Sequence, residues 1–126
     1  MRIVAAAAAL AALVACATAA RHAAGPELAQ AGGWRWDIVP AGAFDIATAR
    51  PSRLRTDILT VYLEGDGLAY VRARAPAQDP TPTDPVALRL ALADPAGEAV
   101  AWLARPCQYT LPDHGRGCAR AILNSN

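Results

Sequence analysis

Glu64-Gly65-Asp66-Gly67 packs two carboxylates and two glycines into four residues. Three kinds of chemistry draw on such a set. A glycosidase holds two acids on either side of a sugar bond, but acids at i, i+2 in a glycine turn are ordinarily solvated. A dinucleotide fold needs Gly-x-Gly-x-x-Gly, and Tyr70 stands where the third glycine must be. The third chemistry is electrostatic. Without Cβ atoms, Gly65 and Gly67 let the backbone turn sharply and bring an amide N–H within reach of a substrate oxygen. The carboxylate of Asp66 would oppose a developing oxyanion unless it points away or pairs with an arginine. A tight turn with no catalytic part uses the same residues. Asp113-His114 is a second candidate pair, but adjacent residues rarely face each other, so it reads as an exposed turn. Nothing in the chain calls for a cofactor.

The elements that must position this turn follow from periodicity. Ile58-Leu59-Thr60-Val61-Tyr62-Leu63 is apolar, β-branched and aromatic, which predicts a strand buried on both faces. It runs directly into the glycine turn, the end of a strand at which open α/β sheets place their ligands. Residues 75 to 85 are Pro-rich and polar and read as a surface loop. Asp84 and Pro85 then predict a helix start, as N-cap and first helical residue, for Val86 to Ala93. Asp94-Pro95 and Gly97 end it, and Val100 to Ala104 follows as a short strand. A helix crossing between two strands implies a parallel pair and the α/β class. Upstream, Trp34 to Val39 and Phe44 to Thr48 alternate like strands about Pro40-Ala41-Gly42, as a hairpin or a bent strand.

Length permits one domain. The net charge is +1, and all twelve basic residues are arginine. Such a balance argues against a nucleic-acid partner, which calls for a clustered basic surface. The 54% hydrophobic content is inflated by the first twenty residues. Met1-Arg2 precedes an apolar run of 13 residues, Ile3 to Ala15. That is short of the roughly 20 needed to span a bilayer and has the form of a secretory signal.

Leu13-Val14-Ala15-Cys16 resembles the lipobox of bacterial lipoproteins. The resemblance implies that residues 1–15 are a signal peptide and that Cys16 takes a lipid, holding the protein at the cell envelope. Cleavage after Ala17-Thr18-Ala19 as an ordinary export signal is the other reading. If Cys16 is lipidated, Cys107 and Cys118 remain as an even pair in an oxidising compartment. A bridge between them would close a short loop, contributing roughly 3 kcal/mol in the chain-entropy account. Zinc would need two ligands beyond these cysteines, and only His114 lies nearby. Residues 16–33, small and glycine-containing, read as a tether to a domain over 34–126.

Three blocks within that domain are Thr60-Val61-Tyr62-Leu63-Glu64-Gly65-Asp66-Gly67, Asp79-Pro80-Thr81-Pro82 through Asp84-Pro85, and Leu103-Ala104-Arg105-Pro106-Cys107-Gln108-Tyr109. In this order they resemble a group of exported bacterial α/β-hydrolases, over roughly residues 34 to 118. The resemblance implies an N-terminal part of a hydrolase-type sheet, with Glu64, Gly65, Asp66 and Gly67 as its oxyanion-hole loop and the Asp66 amide as donor. It also implies a small ester-like substrate and a serine triad. No such triad can be assembled here. Ser52 and Ser125 lack the flanking glycines of Gly-x-Ser-x-Gly, and no histidine follows Ser125. The expectation is therefore a truncated or frameshifted hydrolase, inactive by itself. The rival expectation is a small non-catalytic envelope lipoprotein with a binding or structural role.

Overall fold

The computed structural model describes residues 2–55, 57–72, 75–110 and 117–118. Helix α1 (Arg2–Ala31) leads into strands β1 (Trp34–Ala41) and β2 (Phe44–Pro51). Strands β3 (Thr60–Leu63), β4 (Tyr70–Arg72) and β5 (Ala75–Pro76) follow, then helix α2 (Val86–Ala93) and strand β6 (Val100–Leu103). Four strands form a mixed, open sheet in the order β1-β2-β6-β3, and β4 and β5 make a separate two-stranded ribbon.

Both sequence-predicted pairings of the main sheet are present. β1 and β2 form an antiparallel hairpin, in register from Trp34↔Pro51 to Ala41↔Phe44. β3 and β6 run parallel, from Thr60↔Val100 to Leu63↔Leu103, with α2 as the crossover between them. β2 closes the unit by pairing antiparallel with β6 at Thr48↔Leu103 and Ala49↔Trp102. The molecule is a small α/β unit.

The registers place Trp36, Ala49, Trp102 and Tyr62 in one row across the sheet, and both helices pack on that face. The core there joins Ala29 of α1 and Leu88 and Ala91 of α2 to Ala47, Ala49, Val100, Trp102 and Tyr109. Trp36 stacks on Trp102 with ring centroids 5.3 Å apart, and Tyr109 meets Trp36 edge-on at 5.1 Å. Aromatic pairs of this kind contribute about 0.5–1.5 kcal/mol beyond their buried area.

Three local expectations are corrected. The strand covers only Thr60–Leu63 of the predicted run and is not buried on both faces: it is an edge strand, and Val61 and Leu63 are 42% and 67% exposed. Continuous apolarity reports what a strand can bury, not how many neighbours it has. Residues 16–33 are not a loose tether either, because the helix continues to Ala31. Alanine has the highest helix propensity, and small side chains allow close docking. Ala29 is fully buried, and a Cβ on Gly25 would press against the Trp36 and Tyr109 rings at 2.6 and 2.7 Å. Finally, Asp84 does not cap α2. Pro85 takes the N-cap position without a side-chain bond, and Asp84 pairs with Arg89 at 2.6 Å.

Among the described residues no helix is long and apolar enough to cross a membrane. Cys16 is exposed and unbridged. Cys107 and Cys118 form the expected disulfide, with Cα atoms 5.4 Å apart. Asp113, His114 and Ser125 lie outside the described residues.

Candidate functional site

The parallel pair β3–β6 brings its two C-terminal ends side by side, and the glycine turn leaves from one of them. The turn's first residue faces inward. Glu64 is buried, and its carboxylate accepts from Trp102 Nε1 at 3.1 Å and from the Gly65 amide at 3.0 Å. It also accepts from the Ala87 and Leu88 amides at 3.3 and 3.4 Å. Those two N–H groups are free donors of the first turn of α2, so Glu64 caps the helix in place of Asp84. A carboxylate engaged in this way is a structural anchor and is not offered to a substrate.

Asp66 faces outward. Its carboxylate pairs with Arg105 Nη1 at 2.6 Å, and both side chains are largely exposed. Arg105 begins the loop after β6, so the two strand ends are joined by an ion pair across their tips. The counter-charge that a carboxylate needs beside an oxyanion site is therefore present. The Asp66 amide has no partner among the described residues, and a Cβ built on Gly65 would meet nothing within 4 Å.

Gly67 closes the turn with φ +58, a left-handed value that favours glycine. A side chain here would strike the Pro80 carbonyl, with Pro82 N at 3.0 Å and Gln108 Nε2 at 3.1 Å. The 79–82 loop thus lies directly against the glycine turn. Its own shape comes from Asp79, whose Oδ1 accepts from the Thr81 amide at 3.1 Å. Asp79 Oδ2 reaches α1, taking Arg21 Nη2 at 2.9 Å and His22 Nε2 at 3.2 Å. Burial pushes the Asp79 carboxyl up, but the bonds from Thr81 and the charges of His22 and Arg21 outweigh it and hold it below its ordinary value.

Asp79, His22 and Thr81 have the composition of a catalytic triad but not its geometry. Thr81 Oγ1 lies 3.5 Å from the same His22 Nε2 that meets Asp79. A relay needs acid and nucleophile on opposite ring nitrogens. The Thr81 hydroxyl is moreover buried and accepts from the Tyr109 amide at 2.8 Å. The cluster fastens α1 to the loop. Among the described residues no group of three His, Cys, Asp or Glu side chains could hold a metal ion.

The third loop, residues 105–110, carries Gln108 into the centre. Gln108 is fully buried; its Nε2 donates to the Gly65 carbonyl at 2.8 Å and lies 3.5 Å from that of Pro80, while its Oε1 accepts from the Arg105 amide at 3.0 Å. One side chain therefore ties together the glycine turn, the 79–82 loop and the 105–110 loop. Tyr109 beside it is wedged among Trp36, Trp102 and His22, and burial pushes its phenol well above the ordinary value.

The three blocks singled out in the sequence thus meet in space at Gln108, although 28 positions separate it from Pro80 and 43 from Gly65. Gln108 and the Arg21–His22–Asp79 cluster were not picked out as functional by sequence reasoning. For the cluster there was a signal: Arg21 is the first charged side chain after an alanine-rich stretch of eighteen residues, and His22 follows it.

Fold and loops together define an α/β unit with a backbone-lined turn at the tips of a parallel strand pair. No family model, curated protein or solved structure matches the chain. The hydrolase resemblance therefore rests on the residues alone.

Proposed function

We propose that residues 34–118 form the oxyanion-binding half of an acyl-hydrolase site of the α/β-hydrolase type, carried on a lipid-anchored envelope protein. The observation that carries the reading is the convergence of the three blocks at the C-terminal ends of β3 and β6, with the Asp66 amide on the open side of the turn and its carboxylate paired with Arg105. An amide so placed suits a carbonyl oxygen that gains negative charge during attack on an ester. Among the described residues β3 pairs on one side only, which is consistent with further sheet lying beside it in the active enzyme. These 126 residues hold no Gly-x-Ser-x-Gly, so the nucleophile, acid and histidine must be supplied by other sequence.

The test is enzymatic. The 126-residue chain should be inert toward short-chain p-nitrophenyl esters. Fused to the segment encoded downstream, in whichever frame carries Gly-x-Ser-x-Gly followed by an acid and a histidine, it should hydrolyse them. A fusion that folds and remains inert overturns the reading. The anchor is tested separately: in a Gram-negative host the chain should take up labelled fatty acid, and Cys16→Ala should abolish the label. Unmodified chain beginning at Ala20 or Arg21, free in the periplasm, overturns lipidation.

One observation favours a second reading, that of a small binding or structural lipoprotein. The aromatic core docks α1 against the sheet, and the Cys107–Cys118 bridge forms within these residues. A chain that unfolds cooperatively as a soluble monomer, with no elbow encoded downstream, would select that reading.

A further inference from the structure

Gln108 has no side-chain freedom to spare. It is fully buried, and its three neighbours are two carbonyls and one amide N–H. Only an amide group can satisfy that set, and only in one orientation: the NH2 must face the carbonyls of Gly65 and Pro80, and the oxygen must face the Arg105 amide. The backbone around it is forced to match. Cys107 and Tyr109, on either side, have φ of +70 and +59, left-handed values that non-glycine residues avoid. The disulfide holds the first of these, and the aromatic wedge holds the second.

The consequence lies one bond away. In a trans peptide the C=O and the following N–H point in opposite directions, and no described peptide is cis. Gln108 pulls the Gly65 carbonyl inward. The N–H of the same peptide belongs to Asp66 and must therefore point outward, into the open side of the turn. We infer that Gln108 is a positioning residue that aims the Asp66 N–H at the incoming oxygen. This rests on the reading of that N–H as the oxyanion donor. Gly65 permits the arrangement because the turn has no Cβ at this point to resist rotation of the peptide plane.

Gln108→Glu tests it. The variant keeps the oxygen that faces the Arg105 amide and replaces the donor with a second acceptor, set against two carbonyls. The 65–66 peptide should then turn over, bringing the Asp66 N–H inward to the new carboxylate. The readout is nuclear magnetic resonance of the detergent-solubilised full chain, reading the orientation of the Asp66 N–H vector and its exchange with water. In the parent chain the Asp66 amide should exchange freely while the Glu64 amide, bonded to the Leu103 carbonyl, stays protected. In the variant, Asp66 exchange should slow by about tenfold or more and the vector should reverse, with Glu64 unchanged. A folded variant in which the Asp66 vector keeps its parent direction overturns the proposal. Should Gln108→Glu not fold, the scalar coupling between Gln108 Nε2 and the Gly65 carbonyl carbon in the parent chain decides it, and its absence overturns the proposal. A residue that merely packs would lower stability without turning one peptide. Neither readout depends on ester hydrolysis, so an inactive fusion would indict the site reading while leaving the role of Gln108 standing.

Discussion

The inner end of β3 and its outer edge are built on opposite terms. At the inner end Glu64 accepts four hydrogen bonds and Gln108 links three loops, so almost every polar group has a partner. Along the outer edge Val61 and Leu63 are exposed, with no charge or proline among residues 60–63 to discourage another strand. The far edge of the same sheet, β1, carries an Arg35–Asp37 pair and Pro40, features that natural edge strands use for protection. The sheet therefore treats β1 as a boundary and leaves β3 as a seam. Specific polar geometry is concentrated where the turn must be held, and apolar surface remains along β3 among the described residues.

Removing the anchor at the inner end should have the largest effect. Glu64→Ala leaves the Trp102 indole N–H and two helix amides without partners, costing about 3 kcal/mol; urea unfolding followed by tryptophan fluorescence reads it. A loss under about 1 kcal/mol would mean that the inner end is no better fixed than the edge. Next comes Asp79, which ties that end to α1. Asp79→Asn should cost about 1–2 kcal/mol at neutral pH. Because the folded state lowers the Asp79 pKa, this contribution is fully present above the ordinary value of 3.8 and fades as pH falls through the lower folded value. The gap between parent and variant should close as pH falls below 3.8. A gap that persists in acid well below that value would contradict the assignment. Asp66→Asn should be milder still, under about 1 kcal/mol, because its ion pair with Arg105 is exposed. At the edge itself, Leu63→Lys should shift stability by no more than about 0.5 kcal/mol while reducing aggregation in light scattering. A large destabilisation would show that Leu63 is already covered.

How much of this was legible beforehand depends on what each residue leaves in the sequence. The hairpin and the parallel crossover were readable because turn residues and strand-like runs mark them locally. The Cys107–Cys118 bridge followed once Cys16 was set aside as the residue of the lipobox-like motif. The docking of α1 was not readable, because alanine packs without leaving a contrasting polar and apolar stripe. Glu64 looked like one of two solvated acids in a glycine turn, since nothing local says that a helix N-terminus 23 positions away will come to it. The Ile58–Leu63 run gave its strand character correctly over Thr60–Leu63 and its burial wrongly: whether a neighbour lies on the second side is not written in the strand. For the turn, sequence placed the four residues after a strand but could not say that Glu64 faces in while Asp66 faces out.

The helical course of α1 changes what a lipid on Cys16 would mean for the rest of the molecule. From Cys16 to Arg21, where the helix grips the domain through Asp79, there are five residues of helix, or about 7.5 Å at 1.5 Å per residue. A flexible leash would let the domain sample a hemisphere above the bilayer and meet substrate from any direction. A rod this short acts as a pedestal. It would hold the domain against the headgroups at a fixed tilt, so that the glycine turn would search a surface rather than a volume.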